Sequence, residues 1–488
     1  MSPTVKKQSS NETKGVKTLL GEPKKAIIKL AIPMIIAMSV QTIYNFVDAL
    51  WVSGLGSNIF TSATVADIGE GALAAIGLVL PFFMMAIAIS TGMGVGSSSA
   101  ISRRIGANDK KGADNVAIHS IMFTIIIAAV FSVLFYVFAD QIFASITSSD
   151  SARMAISYGR VIFAFSFFIY FINMATAILR GEGDAKRAMY AIILGSILNI
   201  FLDPIFIFTF GWGVTGAAYA TMLSMGISSL ILVYWLFFRK DTFVTFRFKA
   251  FRFKREIVFD IFRVGLPASF QQVSMSITML IINIIIVKIA LGGDNGLAVY
   301  STGWRIVMLA ILPLLGMATA VVSVSGAAYG AKRYDKLNTG FMFSIKLGLL
   351  IEVFVASIMF IIAPFLALVF SSSISTPTFT SDLEMFIRIT CLFYPTAAMG
   401  IMSSSTFQGV GKGTYSLAST LLRTLILTVI LSLLFVNVFQ PAIIGIWWAL
   451  VIANLTGSFV SFAWAKLYIR GLKKRKQKND YLLMLIHV

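Results

Sequence analysis

The chain is poor in charged residues and has almost no cysteine or histidine. Only 12% of its 488 residues are charged, about half of the roughly 25% that is typical of a soluble domain. The single cysteine, Cys391, excludes a disulfide framework and a CxxC zinc site. The two histidines, His119 and His487, have no neighbours at metal-ligand spacing. These shortages argue against a soluble enzyme and against a zinc site.

Nucleotide-binding and catalytic motifs are also missing. The Gly211–Gly216 segment has the letters of GxGxxG, but it joins two apolar segments and follows no strand, so it is interpreted as a turn. Gly92–Gly96 is rich in glycine but lacks the GK[ST] of a phosphate-binding loop. No HExxH motif is present. We predict that the chain is not an enzyme, has no cofactor and draws on an ion gradient.

Long apolar runs dominate what is present. Hydrophobic residues make up 58% of the chain, and the mean hydropathy is +0.87. Crossing a bilayer takes about 20 apolar residues. Segments of that length lie at roughly 26–52, 73–101, 115–140, 157–179, 188–210, 214–238, 258–291, 297–326, 340–370, 386–407, 415–437 and 443–469. They predict an all-α integral membrane protein with twelve transmembrane helices.

Positive charge is concentrated in alternate loops. A net charge of +19 would favour nucleic acid as a partner of a soluble protein. Here lysine and arginine cluster in both tails and in the even-numbered loops, as at Arg103 and Arg104, whereas odd-numbered loops are nearly free of them. The positive-inside rule therefore places both termini in the cytoplasm. We predict a multi-pass protein of the cytoplasmic membrane that binds no nucleic acid.

The two halves of the sequence resemble each other. Leu30–Pro33 opens the first predicted helix and Val264–Pro267 opens the seventh, at an offset of about 230 residues. An even helix count gives two parallel six-helix repeats, which typically hold a ligand between or within the halves. The predicted regions are a cytoplasmic tail at 1–25, an N-lobe at 26–238, a basic cytoplasmic linker at 239–256, a C-lobe at 257–470 and a cytoplasmic tail at 471–488.

Two aspartates lie deep in predicted helices of the first half. A charged side chain at the bilayer centre costs about 2.5–3.5 kcal/mol, so Asp48 and Asp203 are functional candidates. Asn199 shares a helical face with Asp203, and Pro204 deprives the Ile200 carbonyl of its helical donor. Further polar candidates are Gln41, Tyr44 and Asn45 in the first helix, Asn173 and Thr176 in the fourth, Thr221 in the sixth and Glu352 in the ninth.

The residue types allow two ions and one structural alternative. Burial and a neighbouring carboxylate favour the protonated form of a carboxyl group, which suits H⁺ coupling. Aspartate, asparagine and threonine oxygens with a free carbonyl also suit Na⁺ at broken membrane helices. The structural alternative is that the groups only bond their neighbours, as asparagine and threonine commonly do in membranes.

Seven short motifs together resemble one transporter family. They are Gln41–Asp48, Leu179–Asp184, Leu198–Pro204, Gly216–Thr221, Gly265–Pro267, Gly326–Gly330 and Phe407–Gly409. From about residue 20 to 472, the chain resembles the multidrug and toxic compound extrusion (MATE) family, in its archaeal, DinF-like branch. The resemblance implies two six-helix bundles around a V-shaped central cavity and antiport of H⁺ or Na⁺ against cationic amphipathic compounds.

The resemblance also implies roles for individual residues. The cation residues of this branch match Asp48, Asn199, Asp203 and Thr221, with Tyr44 and Gln41 close by. Pro33 matches a proline at which the first helix of the family bends. Pro204 is the second helix-bending candidate. The polar residues themselves, rather than the resemblance, give the substrate-cavity candidates Asn45, Asn173, Thr176 and Glu352, and the alternative for Glu352 is an ion-pair partner. Thr176 departs from the asparagine that close relatives often carry, which puts a fourth-helix ligand in doubt.

The predicted function is a secondary active multidrug exporter coupled to H⁺ or Na⁺. Its expected partners are amphipathic cationic drugs or lipids and the surrounding membrane lipids, and a monomer is expected. The alternative is a flippase of the same fold for lipids or lipid-linked precursors. A scaffold that transports nothing would leave the insertion cost of Asp48 and Asp203 without an explanation.

Overall fold

The fold is seen in a computed structural model that describes residues 13–53, 68–146, 150–239, 241–246, 251–290, 293–371 and 378–486. Residues 1–12 of the predicted N-terminal tail and 240 and 247–250 of the predicted linker lie outside this part of the chain. His487 lies outside it as well. Throughout the described residues, the regular secondary structure is helical.

Nine α-helices are described in the first half. Their bounds are α1 Lys14–Leu20, α2 Pro23–Val52, α3 Glu70–Gly106, α4 Lys110–Val137, α5 Ala139–Ile146, α6 Asp150–Ala164, α7 Ser166–Gly181, α8 Ala185–Pro204 and α9 Gly213–Val233. Two π-helical segments extend these helices: Ile205–Thr209 follows α8, and Tyr234–Phe238 follows α9.

Nine more α-helices are described in the second half. Their bounds are α10 Arg255–Lys288, α11 Gly293–Ala310, α12 Leu312–Gly330, α13 Tyr334–Ser371, α14 Phe379–Thr390, α15 Tyr394–Gly409, α16 Gly413–Leu421, α17 Leu427–Phe435 and α18 Ala442–Ile486. A 3₁₀ turn, Cys391–Phe393, joins α14 to α15, and a π-helical segment, Leu422–Ile426, joins α16 to α17.

The membrane fold matches the predicted architecture. Within the described ranges, eleven helices are long and apolar enough to cross a bilayer, and the pair α6 and α7, bent by 45°, makes a twelfth span. The all-α prediction with twelve membrane helices is therefore confirmed. The helices reach further than the apolar runs: α18 continues to Ile486, so most of the segment predicted as a C-terminal tail is helical.

Proline changes the helix geometry where the sequence predicts an interruption. Pro204 ends α8, and the five residues after it wind as a π-helix. Because proline has no N–H, it cannot continue the regular hydrogen-bond ladder. Pro33, by contrast, lies inside α2, which is helical from Pro23 to Val52. Only one of the two candidate prolines therefore coincides with a change of helix type.

The two lobes meet near one face of the protein. We call it the basic face, the face at which Arg103, Arg180 and Lys332 lie at helix ends. There α3 packs against α10 and α12, and α2 packs against α12. Gly106 and Gly330 allow this contact, because a methyl group on either would overlap a backbone carbonyl of the other lobe. The lobes are thus in close contact at the basic face, which is the closed end of the predicted V-shaped arrangement.

Polar contacts join the lobes at this closed end. Arg103 Nη2 is 2.7 Å from Asp260 Oδ1, and the same guanidinium donates from Nη1 to the Gly409 carbonyl at 3.3 Å. Ser98 Oγ and Ser323 Oγ are 3.3 Å apart. Every one of these contacts pairs an N-lobe residue with a C-lobe residue.

The N-terminal helix α1 also touches both lobes. Gly15 packs against the backbone of Gly183 in the N-lobe. At the other end of α1, Lys336 Nζ of the C-lobe donates to the carbonyls of Leu20 and Gly21 at 2.9 and 2.8 Å. This short helix therefore lies across the closed end of the V.

His119 and Cys391 are both buried. Nδ1 of His119 lies 2.8 Å from the Asn115 carbonyl, and Nε2 accepts a hydrogen bond from the Lys254 backbone at 3.2 Å. The bond from Lys254 ties α4 to the residue before α10. Cys391 is 3% exposed within the C-lobe core.

Candidate ion-coupling site

Four of the predicted cation residues come together in the N-lobe. Asn199 and Asp203 lie near the end of α8, and both are almost fully buried. Asn199 Nδ2 donates to Asp203 Oδ1 at 3.1 Å and lies 3.2 Å from Thr221 Oγ1 on α9. Asp48 reaches the cluster from α2, which packs along α8. The distant helix α2 and the consecutive helices α8 and α9 therefore contribute to one polar site.

The carboxyl groups of Asp48 and Asp203 lie within hydrogen-bonding reach of each other. An ionised carboxylate only accepts hydrogen bonds, so two of them can bond each other only if one carries a proton. Two like charges at this separation, away from water, would also repel strongly. The pair is therefore suited to holding at least one proton.

Several oxygen atoms of the cluster have no hydrogen-bond partner. They are Asp48 Oδ1, Asn199 Oδ1 and Asp203 Oδ2, all buried and unpaired within the described residues. Buried polar atoms are rarely left in this state, and each one calls for an explanation. A bound cation would satisfy all three, because amide and carboxylate oxygens are ligands for hard cations. These oxygen types suit Na⁺ as well as H⁺.

Two tyrosines border the carboxyl pair. Tyr44 on α2 and Tyr158 on α6 both interact electrostatically with Asp48 and Asp203. Tyr44 was expected from its position one helical turn before Asp48. Tyr158 was missed, because it belongs to a different helix and nothing in its local sequence distinguishes it. Only the packing of α6 against its neighbours brings it to the site.

Other candidates lie apart from this cluster. Gln41 and Asn45 are exposed on α2. Asn173 donates to Ser90 Oγ at 3.1 Å and to a carbonyl of its own helix, and Thr176 donates to the Ile172 carbonyl at 2.7 Å. These bonds account for Asn173 and Thr176 without a substrate.

Glu352 differs from its predicted position on the wall of a substrate cavity. It is fully buried in the C-lobe, on α13. A side chain with no exposed surface does not line an open cavity in this conformation. The physical reason is the packing of α13 against α15, which covers the face that carries Glu352.

The geometry defines a class of protein: an all-helical membrane protein of two repeated lobes with a buried acidic site in one of them. A model of the family described as MatE matches residues 57–205 and 267–434, which is more than half of the chain and includes part of each lobe. The chain belongs to the MatE family. This membership confirms the prediction that the protein is not an enzyme, because the family consists of transporters.

Solved structures are similar over almost the whole chain. One, described as the outward-facing conformation of a multidrug resistance MATE family transporter of the MOP superfamily, is 46% identical, with a TM-score of 0.89, and the match covers 95% of this chain and 99% of that one. A MOP superfamily transporter from Pyrococcus furiosus, described by a reverse polarity of its binding pocket, is 46% identical with a TM-score of 0.88 over 94% and 99% of the two chains.

A bacterial relative matches at lower identity. The multidrug export protein MepA of Staphylococcus haemolyticus is 26% identical over 446 residues, which covers 90% of this chain and 92% of that protein. The predicted family is thus confirmed, and the narrower archaeal, DinF-like branch stays a prediction.

Proposed function

We propose that this protein is a secondary active exporter that antiports amphipathic, cationic small molecules against H⁺ or Na⁺. The observation that carries the proposal is the pair of the half-buried Asp48 and the buried Asp203, whose carboxyl groups lie within hydrogen-bonding reach. Multidrug export by relatives of the same fold supports the substrate class. The coupling ion binds at the pair and at the unpaired oxygen of Asn199.

The shape of the molecule supports alternating access. The lobes touch at the basic face, where Arg103 and Asp260 pair, and the V therefore opens on the opposite face. Lysine- and arginine-rich loops remain on the cytoplasmic side of membranes. We infer that the basic face and both termini are cytoplasmic, so that this conformation faces outward. The monomer contains both lobes, and we take it as the transport unit.

Coupling requires that ion binding and substrate binding compete within the N-lobe. A proton or Na⁺ at the carboxyl pair removes the repulsion between Asp48 and Asp203 and lets α2 and α8 pack closely. Loss of the ion restores the negative charge, which favours a cationic substrate near the site. The inward ion gradient then drives the exchange.

The test is efflux of a fluorescent dye cation from proteoliposomes under an imposed pH or Na⁺ gradient. We expect efflux under one of the two gradients, and its loss in Asp48→Asn and in Asp203→Asn. Asp140→Asn is the matched control, because Asp140 is an exposed N-lobe aspartate paired with Arg160 at 2.7 Å. Full efflux in both site variants would refute the N-lobe site.

Efflux in none of the proteins under either gradient would refute the exporter. The next assay would then be flipping of a fluorescent lipid in the same proteoliposomes, which tests the flippase alternative directly. Lipid flipping that is lost in Asp48→Asn would keep the N-lobe site but change the substrate class.

A further inference from the structure

A second buried acidic group lies in the lobe opposite to the carboxyl pair. Glu352 on α13 is 0% exposed, and neither of its carboxylate oxygens has a hydrogen-bond partner among the described residues. The proposed export mechanism makes no use of it. An unpartnered, fully buried carboxyl group is rare enough in proteins to need its own explanation.

Tyr394 lies next to Glu352 at the same depth. Gly348 on α13 packs against Ala398 on α15, and the two helices run in opposite directions as consecutive spans. Glu352 lies one turn after Gly348 on α13, and Tyr394 lies one turn before Ala398 on α15. Because the two helices are antiparallel, both residues lie on the same side of that contact along the helix axes. The two groups interact electrostatically. The buried Tyr394 hydroxyl also has no hydrogen bond of good geometry.

No cation compensates Glu352 in the described part of the C-lobe. Arg423 is buried in the same lobe, but it contacts Gly400 and donates to Asn454 Oδ1 at 2.9 Å. Gly400 is two residues beyond Ala398, which turns it by about 200° to the far side of α15. Arg305 is exposed on α11. An unpaired ionised carboxylate in this position would cost several kcal/mol.

The other titratable neighbour is the Cys391 thiol, which is adjacent to Tyr394. The helices that pack against α13 are α2, α11, α12, α14, α15 and α18. Across their described residues, no lysine, arginine, aspartate or glutamate forms an ion pair or hydrogen bond with Glu352. Among the described residues, the environment therefore supplies no charge or hydrogen bond that holds the carboxylate in its ionised form.

The free oxygens are too few for a metal cation. Hard cations are bound by several oxygen ligands, typically six or more for Ca²⁺ and Mg²⁺. Glu352 and Tyr394 offer free oxygens from only two side chains, whereas the N-lobe site collects oxygens of Asp48, Asn199, Asp203 and Thr221 from three helices. A proton needs only one oxygen, so the ligand that fits this position is H⁺.

The span that carries Tyr394 is broken at this level. The 3₁₀ turn Cys391–Phe393 separates α14 from α15 directly before Tyr394. A short 3₁₀ stretch inside a long helix often marks a hinge, and the corresponding span of the N-lobe, α6 with α7, is bent by 45°. The break in the helix therefore lies directly beside Tyr394.

We propose that Glu352, with the Tyr394 hydroxyl beside it, is a second proton-binding site in the C-lobe, separate from the carboxyl pair of Asp48 and Asp203. In the step itself, one proton from water joins a Glu352 carboxylate oxygen, and the same proton leaves from it. The proposal does not depend on which ion drives export.

The experiment is infrared spectroscopy of the purified full-length protein over a range of pH. Asp48→Asn/Asp203→Asn is the background, so that the N-lobe pair contributes no carboxyl band. Adding Glu352→Gln is expected to remove a protonated-carboxyl band that is present at neutral pH, falls as the pH rises and shifts in D₂O. Adding Glu384→Gln is the control, because Glu384 pairs with Arg388 at 2.8 Å on α14 and should contribute no such band.

Two results would overturn the proposal. Absence of a difference band at neutral and acidic pH would mean that Glu352 stays ionised. A band that neither shifts in D₂O nor changes with pH would mean a permanently sealed proton and no binding site. Tyr394→Phe tests the neighbour with Glu352 intact: we expect the band to persist to higher pH, because the polar hydroxyl beside the ionised carboxylate is removed. An unchanged titration would remove Tyr394 from the site.

Discussion

Removing the charge of Arg103 is expected to open the closed end of the V. This guanidinium crosses from the N-lobe to Asp260, with Nη2 at 2.7 Å from Oδ1, and the two side chains are 11% and 25% exposed. Truncating one partner of a desolvated, hydrogen-bonded charge pair costs about 2–5 kcal/mol. Asp260 is partly exposed and also lies 3.8 Å from Arg104. We therefore expect the loss of Arg103 to cost an amount at the lower end of this range.

If the closed arrangement of the lobes loses about 2 kcal/mol of stability, the population of molecules in which this contact is open increases roughly 30-fold. The assay is the labelling rate of a single cysteine introduced as Ser98→Cys, at the contact between Ser98 and Ser323. Cys391 is the chain's only cysteine, so Cys391→Ser gives a clean background. We expect Arg103→Gln and Asp260→Asn to speed labelling by roughly that factor, because labelling follows the open population when closing is fast.

The matched control is Arg160→Gln, which breaks an ion pair of the same 2.7 Å length inside the N-lobe. This variant should leave the labelling rate unchanged, because the pair of Arg160 and Asp140 does not join the two lobes. Equal rates in wild type and Arg103→Gln, or an equal increase in the Arg160→Gln control, would refute the assignment of Arg103 as an inter-lobe contact.

Three further predictions follow from single contacts. Burial raises the pKa of Glu182 to about 8 from the usual 4.5, although the Val244 N–H donates to it. Because the folded state therefore binds more protons than the unfolded state, the thermal unfolding midpoint should decrease as the pH rises from about 4.5 to about 8. Glu182→Gln should make this decrease smaller. Gly330→Ala adds a methyl group that overlaps a carbonyl of the N-lobe, so it should speed the same cysteine labelling, whereas Gly77→Ala, which meets open space, should not. Tyr158→Phe should weaken ion binding by about 1 kcal/mol, which raises the half-saturating H⁺ or Na⁺ concentration for efflux about fivefold. An unchanged half-saturating concentration would exclude the Tyr158 hydroxyl from the ion site.

The C-lobe site gives a contrast between two acidic groups in one molecule. Asp48 and Asp203 are a pair across helices, so they can share one proton or hold a cation between them. Glu352 is alone with a tyrosine, so its chemistry is limited to the proton. Repeated lobes with unequal polar groups can thus respond to the same ion gradient in different ways.

Sequence determined the architecture because the signals for it are local. Apolar runs of spanning length and charges in alternate loops can be read without knowing any contact, since the bilayer imposes both of them. The two aspartates also stood out in the sequence, because a charge in an apolar run is costly wherever its partners lie. Pro204 likewise acts on the helix that contains it, and the helix type does change after it.

Tertiary structure decided which of these groups meet. Asp48 and Asp203 lie in separate helices, and Tyr158 joins them from a third one that gave no signal in the sequence. The face that Glu352 buries, and the pairing of Arg103 with Asp260 across the lobes, depend on how helices rotate and pack. Hydropathy fixes that a helix crosses the membrane, but its rotation and neighbours are set by side-chain packing between distant segments.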